Sequence, residues 1–184
     1  MTISNLFLIP LFMAFIGQTS VYLMRLTAPN FGRWLYRLAD GLALLSGAAL
    51  IWSLVWALMS QAVRLDVISP LITLLGFAAI MLGTGLTLWG AFTLGGQSFF
   101  GRPSNEVVER GPYSAFRRPM GSGMYLIGIG AALVSGKDSV WIWLGVFFVL
   151  SLFLFELEEW ELRQRIPEAV DYLAKTPRFF PRFQ

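Results

Sequence analysis

Residues Pro119–Glu159 read PMGSGMYLIGIGAALVSGKDSVWIWLGVFFVLSLFLFELEE, two long uncharged runs with only Lys137 and Asp138 between them. A charge at the centre of a bilayer costs at least about 2.5 kcal/mol, so uncharged runs of this length mark membrane spans, Pro119 to Gly136 and Ser139 to Phe155. The Lys137-Asp138 turn is short enough to force an antiparallel hairpin. Apolarity along both runs is continuous rather than alternating, which predicts helices and not barrel strands.

Outward from this hairpin the same criterion finds three more spans. Leu6 to Met24 is one, with Pro10 and Gln18 inside it, and Gly41 to Val63 is another. The stretch Val67 to Gly101 carries no charge but is too long for one crossing, so its membrane part is placed at Pro70 to Thr93. Ser98, Phe99 and Phe100 are then expected at the interface. The expected fold is all-α: a polytopic membrane bundle of about five transmembrane helices followed by a C-terminal amphipathic cytoplasmic helix, in a single domain over residues 1–184.

Composition agrees. Of 184 residues 56% are hydrophobic and 14% charged, and mean hydropathy is +0.64; soluble domains carry about 25% charged residues. No material remains for a separate soluble catalytic domain, so any chemistry sits in the membrane or at its edge. Cysteine and histidine are both absent, which excludes disulfides, thiolate nucleophiles, imidazole-held haem or zinc, and a histidine base.

Twelve of the lysines and arginines fall in the loop 25–40, the loop 102–118 and the C-terminal tail, against Arg64 and Lys137 elsewhere. By the positive-inside rule this predicts an outside N-terminus, five crossings and a cytoplasmic C-terminus. Met1 to Asn5 lack a basic n-region, so no signal peptide is expected. A net charge of +3 and a pI near 9.6 then fit anchoring to anionic membrane lipid rather than nucleic-acid binding. No internal repeat is evident.

The two most polar segments, the loop before Pro119 and the tail after Phe155, are both expected on the cytoplasmic side, where their meeting place is the candidate site. Pro119 suits the first turn of a helix. Arg117 and Arg118 just before it are the wrong charge for a helix start, which calls for something negative nearby: either lipid phosphate or a bound carboxylate held in a bidentate clamp. Glu158 and Glu159 follow the last apolar run close to the acyl boundary, where an unpaired carboxylate is costly. Arg117 and Arg118 are their nearest unpaired cations, so the tail is expected to fold back beneath the fourth span. Glu161, Arg165 and Glu168 read as a solvated ion-paired helix face. Ala79, Gly83, Thr87 and Gly90 share one face of the third span and predict close helix packing. Gly121, Gly123 and Gly128 fit either packing or room for a ligand. The Trp and Tyr residues read mostly as belt or core.

Several segments together resemble the isoprenylcysteine carboxyl methyltransferase family and the phospholipid methyltransferases: Gly111-Pro112-Tyr113, Arg117-Arg118-Pro119-Met120-Gly121, Glu158-Glu159, and Pro177-Arg178-Phe179-Phe180-Pro181. The resemblance covers Leu71 to Phe183. It implies a cytoplasmic site for S-adenosylmethionine beside an opening toward lipid for a lipophilic acceptor. Cofactor contacts are implied at Gln97, Asn105 to Val108, Tyr113, Arg118, Pro119, Met120, Gly121 and Glu159. A sulfonium would face Tyr113 or Tyr125, and Arg117, Arg118 and Glu158 are the candidate catalytic side chains. Three positions depart from the family pattern: Arg118 stands for its histidine, Gly121 for its tyrosine, and Phe155 for an arginine that orients substrate.

The function expected is methyl transfer to a small lipophilic, anionic acceptor, since a carboxylate needs no base. The alternative is a non-catalytic relative serving as a structural or assembly subunit of a membrane complex. A steroid-reductase type would need a nicotinamide-binding set of polar residues that the sequence lacks.

Overall fold

The computed structural model describes residues 6–27, 33–60, 69–99 and 107–179. Its elements are α1 (Leu8–Thr27), α2 (Arg33–Met59), α3 (Pro70–Phe99), α4 (Pro112–Ala115), α5 (Pro119–Ser135), α6 (Asp138–Arg165) and α7 (Ala169–Lys175). No strand occurs among the described residues. The chain is therefore a helical membrane bundle. Gly41–Met59, Pro70–Gly95 and Asp138–Gln164 are long and apolar enough to cross a bilayer, and Leu8–Met24 and Pro119–Ser135 are two shorter apolar helices.

Helix ends follow local chemistry. α3 is kinked at Gly95, whose φ of 74° and ψ of 161° suit glycine and mark the end of the apolar stretch. The segment beyond it contains Ser98 and Phe99, while Phe100 lies outside the described residues. α5 opens with Pro119 in its first turn and closes on Gly136 in the left-handed conformation, φ 60°. α6 then returns antiparallel to it. The end of α2 is capped from this turn, since Lys137 Nζ donates to the carbonyl oxygens of Leu58 and of Ser60, the latter at 2.8 Å.

α6 is the hub, packed against α1, α2, α5 and α7, whereas α3 packs chiefly on α5. Phe7, Leu11, Phe15, Ala57, Val140, Trp143 and Phe147 form the buried centre of the α1–α2–α6 side. Within it Trp143 Nε1 donates to Ser53 Oγ at 2.8 Å, satisfying both polar groups away from water. Outward-facing side chains are large and apolar, among them Leu74, Met81 and Phe92 on α3, as a lipid-facing surface requires.

The α3–α5 contact is made by backbone. Ideal Cβ atoms on Gly76, Gly83 and Gly130 would lie 3.0, 2.5 and 2.5 Å from the carbonyl oxygens of Gly130, Gly123 and Gly76, and one on Gly90 would lie 2.8 Å from Met120 Cγ. Gly76, Gly83 and Gly90 recur every seven residues, so they fall on one stripe that admits the partner helix. The packing face read at Gly83, Thr87 and Gly90 is this stripe. Gly123 and Gly128 are packing positions too, against Thr87 and Gly83 and against Leu144 and Trp143.

The tail does not turn back at Phe155. Residues 156–165 are good helix formers and prolong α6 without a break. The turn comes at Ile166, whose extended φ of −129° and ψ of 105° are those a following proline imposes. α7 and the extended residues after it then return to the start of α5.

Candidate functional site

Arg117 and Arg118 leave the short α4 and enter α5, with Arg118 as the helix cap. Glu156, Glu158 and Glu159 come from the last turns of α6, and Arg178 from the segment after α7. They meet in one cluster. Arg117 Nη1 lies 2.9 Å from Glu159 Oε2, and its Nε donates to the carbonyl oxygen of Thr176. Arg118 pairs with Glu158 through Nη1, donates from Nη2 to the Phe155 carbonyl oxygen at 3.2 Å, and approaches Glu159 Oε1 to 3.8 Å. Arg178 forks onto Glu159, Nε to Oε1 and Nη2 to Oε2, both at 2.9 Å, and reaches Glu156 with Nη1 at 2.7 Å. Arg163 adds a fourth guanidinium at 3.9 Å.

Glu159 is 1% exposed at the centre. Isolated, a carboxylate there would be expelled or protonated, but charge-assisted hydrogen bonds on both oxygens hold it. The cations respond. Hydrogen bonds to Glu159 and then to Glu156 hold the Arg178 guanidinium above its ordinary pKa. Burial opposes the charge on Arg118, yet Glu158, Tyr22 and Glu159 outweigh it and raise its pKa. Among the described residues these contacts join four guanidiniums, that of Arg163 half-exposed, to three carboxylates, an excess of one positive charge.

The tail segment closes this cluster from below. The main-chain N–H of Arg117 donates to the Pro177 carbonyl oxygen at 2.9 Å, and Tyr172 Oη donates to the Tyr113 carbonyl oxygen at the same distance. Burial pushes the phenol of Tyr172 up to about 12, and burial followed by the Glu158 charge raises that of Tyr113. Both phenols are neutral donors at working pH. The fold-back expected from Glu158 and Glu159 is thus present, by way of α7.

The other sequence-derived candidates divide. Pro119 and Met120 pack on Gly90 of α3. Tyr125 bonds Ser151 through its hydroxyl, and its ring centroid lies 5.4 Å from those of Phe147 and Phe148 and 5.8 Å from that of Phe179. It borders the cluster from inside the bundle. Val108 is half-buried ahead of α4. Asn105 and the side chain of Gln97 lie outside the described residues. Glu161 is 4% exposed, so the solvated face read for it does not hold.

Gly121 is not an empty place in the wall. A Cβ there would lie 2.7 Å from Cζ of Phe155, whose ring also carries the Arg118 guanidinium 4.9 Å from its centroid and Phe179 at 5.8 Å. Positions 121 and 155, both departures from the pattern the resemblance implies, are thus in direct contact. Gly121→Ala is expected to cost about 1–3 kcal/mol through overpacking against the Phe155 ring, which is itself flanked by Arg118 and Phe179. In a Phe155→Leu background the added cost should shrink by about 1 kcal/mol or more, measured as a double-mutant cycle on unfolding in detergent. Additive effects would disprove the coupling.

Sequence reasoning missed Arg178 as a site cation, Phe179, Tyr172 and the Thr176 carbonyl. It also missed Ser122, whose Oγ joins Arg118 Nε as a buried side-chain atom without a hydrogen-bond partner among the described residues. A buried donor left unpaired costs about 1–3 kcal/mol, so the first turn of α5 has an unmet demand for an acceptor. No group of three His, Cys, Asp or Glu is placed to hold a metal ion among the described residues.

The site thus belongs to a helical membrane protein whose residues 71–166, α3 through α6, match the family model described as phospholipid methyltransferase. The chain belongs to that methyltransferase family. It is 32% identical over 116 residues to the cobalt-zinc-cadmium resistance protein CzcN of Cupriavidus metallidurans, covering 62% of this chain and 51% of that protein. To the nickel-cobalt-cadmium resistance protein NccN of Alcaligenes xylosoxydans xylosoxydans it is 31% identical over 117 residues, 62% of this chain and 52% of that one. The chain spans about half the length of these curated relatives. No solved structure matches it.

Proposed function

We propose that the chain is a membrane-embedded, S-adenosylmethionine-dependent methyltransferase acting on a small lipophilic acceptor that carries a carboxylate. The observation that supports this reading best is the cluster at the start of α5, all but Arg178 inside the family-matched residues, with an excess positive charge and a buried Arg118 N–H lacking an acceptor. S-adenosylmethionine, when bound, supplies a methyl group on a sulfonium. The donor set fits it: Arg118 for the methionine carboxylate, Glu158 for the ammonium or ribose hydroxyls, and Tyr113 for an aromatic face. Glu158 suits this role because its side chain is 36% exposed, unlike Glu159. The residues otherwise act by orientation and exclusion of water, and a carboxylate acceptor needs no base, which suits a chain without histidine.

One observation favours the second reading, a non-catalytic structural or assembly subunit. Both oxygens of Glu159, the carboxylate tied to the cofactor by the resemblance, are engaged by the chain's own arginines. Calorimetry of the purified protein in detergent separates the two. Saturable binding of S-adenosylmethionine below millimolar concentration is expected; none in folded protein would overturn the enzyme reading and leave the subunit.

We further place the N-terminus outside and the C-terminus in the cytoplasm, from the distribution of lysine and arginine. Cysteines replacing Glu109 and Asp138 should label from opposite faces of sealed vesicles, and labelling from one face would overturn this orientation.

A further inference from the structure

α1 precedes the family-matched residues, yet it forms one side of a cleft of about 250 Å³ with α6. Phe12, Ile16 and Ser20 line one wall, Leu150 and Phe153 the other, and the buried Phe15 the floor. The cleft follows α1 from Phe12 to Ser20, about 12 Å at helical rise, and is open along its outer side, where Phe12, Ile16 and Phe153 are exposed.

The cleft ends near the site, because Phe153 of its wall stands two residues before Phe155, whose ring lies under Arg118. From its floor, aromatic rings run from Phe15 to Phe147 at 6.0 Å, to Tyr125 at 5.4 Å, to Phe179 at 5.8 Å and to Phe155 at 5.8 Å, which lies under Arg118. Along α1 itself, Tyr22 stands three residues beyond Thr19 of the cleft, on the same helix face, and lies within electrostatic reach of Arg118. α1 and α6 run parallel here, so one end of the cleft points to the positive cluster and the other to mid-helix. A ligand fitting both would have an anionic head and one straight apolar tail.

We propose that the α1–α6 cleft seats the hydrocarbon tail of the acceptor, a single unbranched acyl chain whose carboxylate head is directed toward the Arg118 cluster. The proposal rests on the methyltransferase reading for the word acceptor, but the seat itself is defined by α1 and α6. Lipid tails are as apolar as the wall, so burial alone gives no preference for the cleft. Selection comes from charge at the head, which a zwitterionic lipid does not match.

The test uses the full chain in phosphatidylcholine nanodiscs with a palmitic acid analogue bearing a mid-chain diazirine. Irradiation and peptide mass spectrometry should find adducts in residues 12–20 and 150–153 at least tenfold above those on Leu74, Met81 and Phe92 of α3. Excess palmitate should abolish them, Ile16→Trp should lower them at least fivefold, and Met81→Trp should leave them unchanged. Adducts spread evenly over the apolar surface, or equal cleft labelling by a diazirine phosphatidylcholine, would overturn the proposal. Labelling needs no cofactor, so cleft adducts without S-adenosylmethionine binding would sink the methyltransferase reading and uphold the acyl seat. Cofactor binding without cleft adducts would do the reverse.

Discussion

Glu159→Ala is expected to abolish S-adenosylmethionine binding and to cost about 3–5 kcal/mol of folding stability, the range for removing one partner from a buried ion cluster. The alanine leaves the Arg178 fork and Arg117 Nη1 without their shared counter-charge at a position 1% exposed. Three neighbouring guanidiniums then repel one another, and the tail segment loses the contact that draws it to α5. Glu168→Ala, at an exposed position, should change stability by less than about 0.5 kcal/mol. Denaturant unfolding in mild detergent measures both variants, and calorimetry on the folded fraction measures cofactor affinity. Unchanged binding in folded Glu159→Ala would show that the site does not depend on the charge that draws the tail segment to α5.

Gly83→Val should be comparably severe for a different reason. A Cβ at Gly83 would lie 2.5 Å from the Gly123 carbonyl oxygen and 2.8 Å from the Ile127 nitrogen, both backbone atoms of α5. Backbone cannot rotate away as a side chain does, so α3 and α5 must separate along their whole contact. Overpacking typically costs about 1–3 kcal/mol where side chains can adjust, and here we expect about 3 kcal/mol or more. Gly85→Ala, two residues on and with nothing within 4 Å of its Cβ, is expected to be neutral or slightly stabilising because alanine favours the helix. Equal effects of the two substitutions would show that the glycine stripe is not the contact.

The membrane helices were legible because the bilayer punishes charge, and the hairpin about Lys137 and Asp138 follows from that rule alone. Helix ends were less legible. Hydropathy does not register that residues 156–165 can prolong α6. The pairing of Arg117 and Arg118 with Glu158 and Glu159 could be read, since two costly pairs of opposite sign were expected on one face. Arg178 could not be assigned to Glu159, because the fork depends on where Ile166 and Pro167 turn the chain. Phe155 and Gly121 were legible singly as departures; their contact spans 34 positions and appears only when α5 and α6 pack.

Arg117 holds the tail segment through the carbonyl oxygens of Thr176 and Pro177, while Arg178 forks onto Glu159 and the Phe179 ring packs on Tyr125 and Phe155. Main-chain recognition is sensitive above all to register: one inserted residue between 176 and 178 would move the guanidinium past Glu159 and open the site. Variation in this segment should accordingly accumulate as substitutions and not as changes of length.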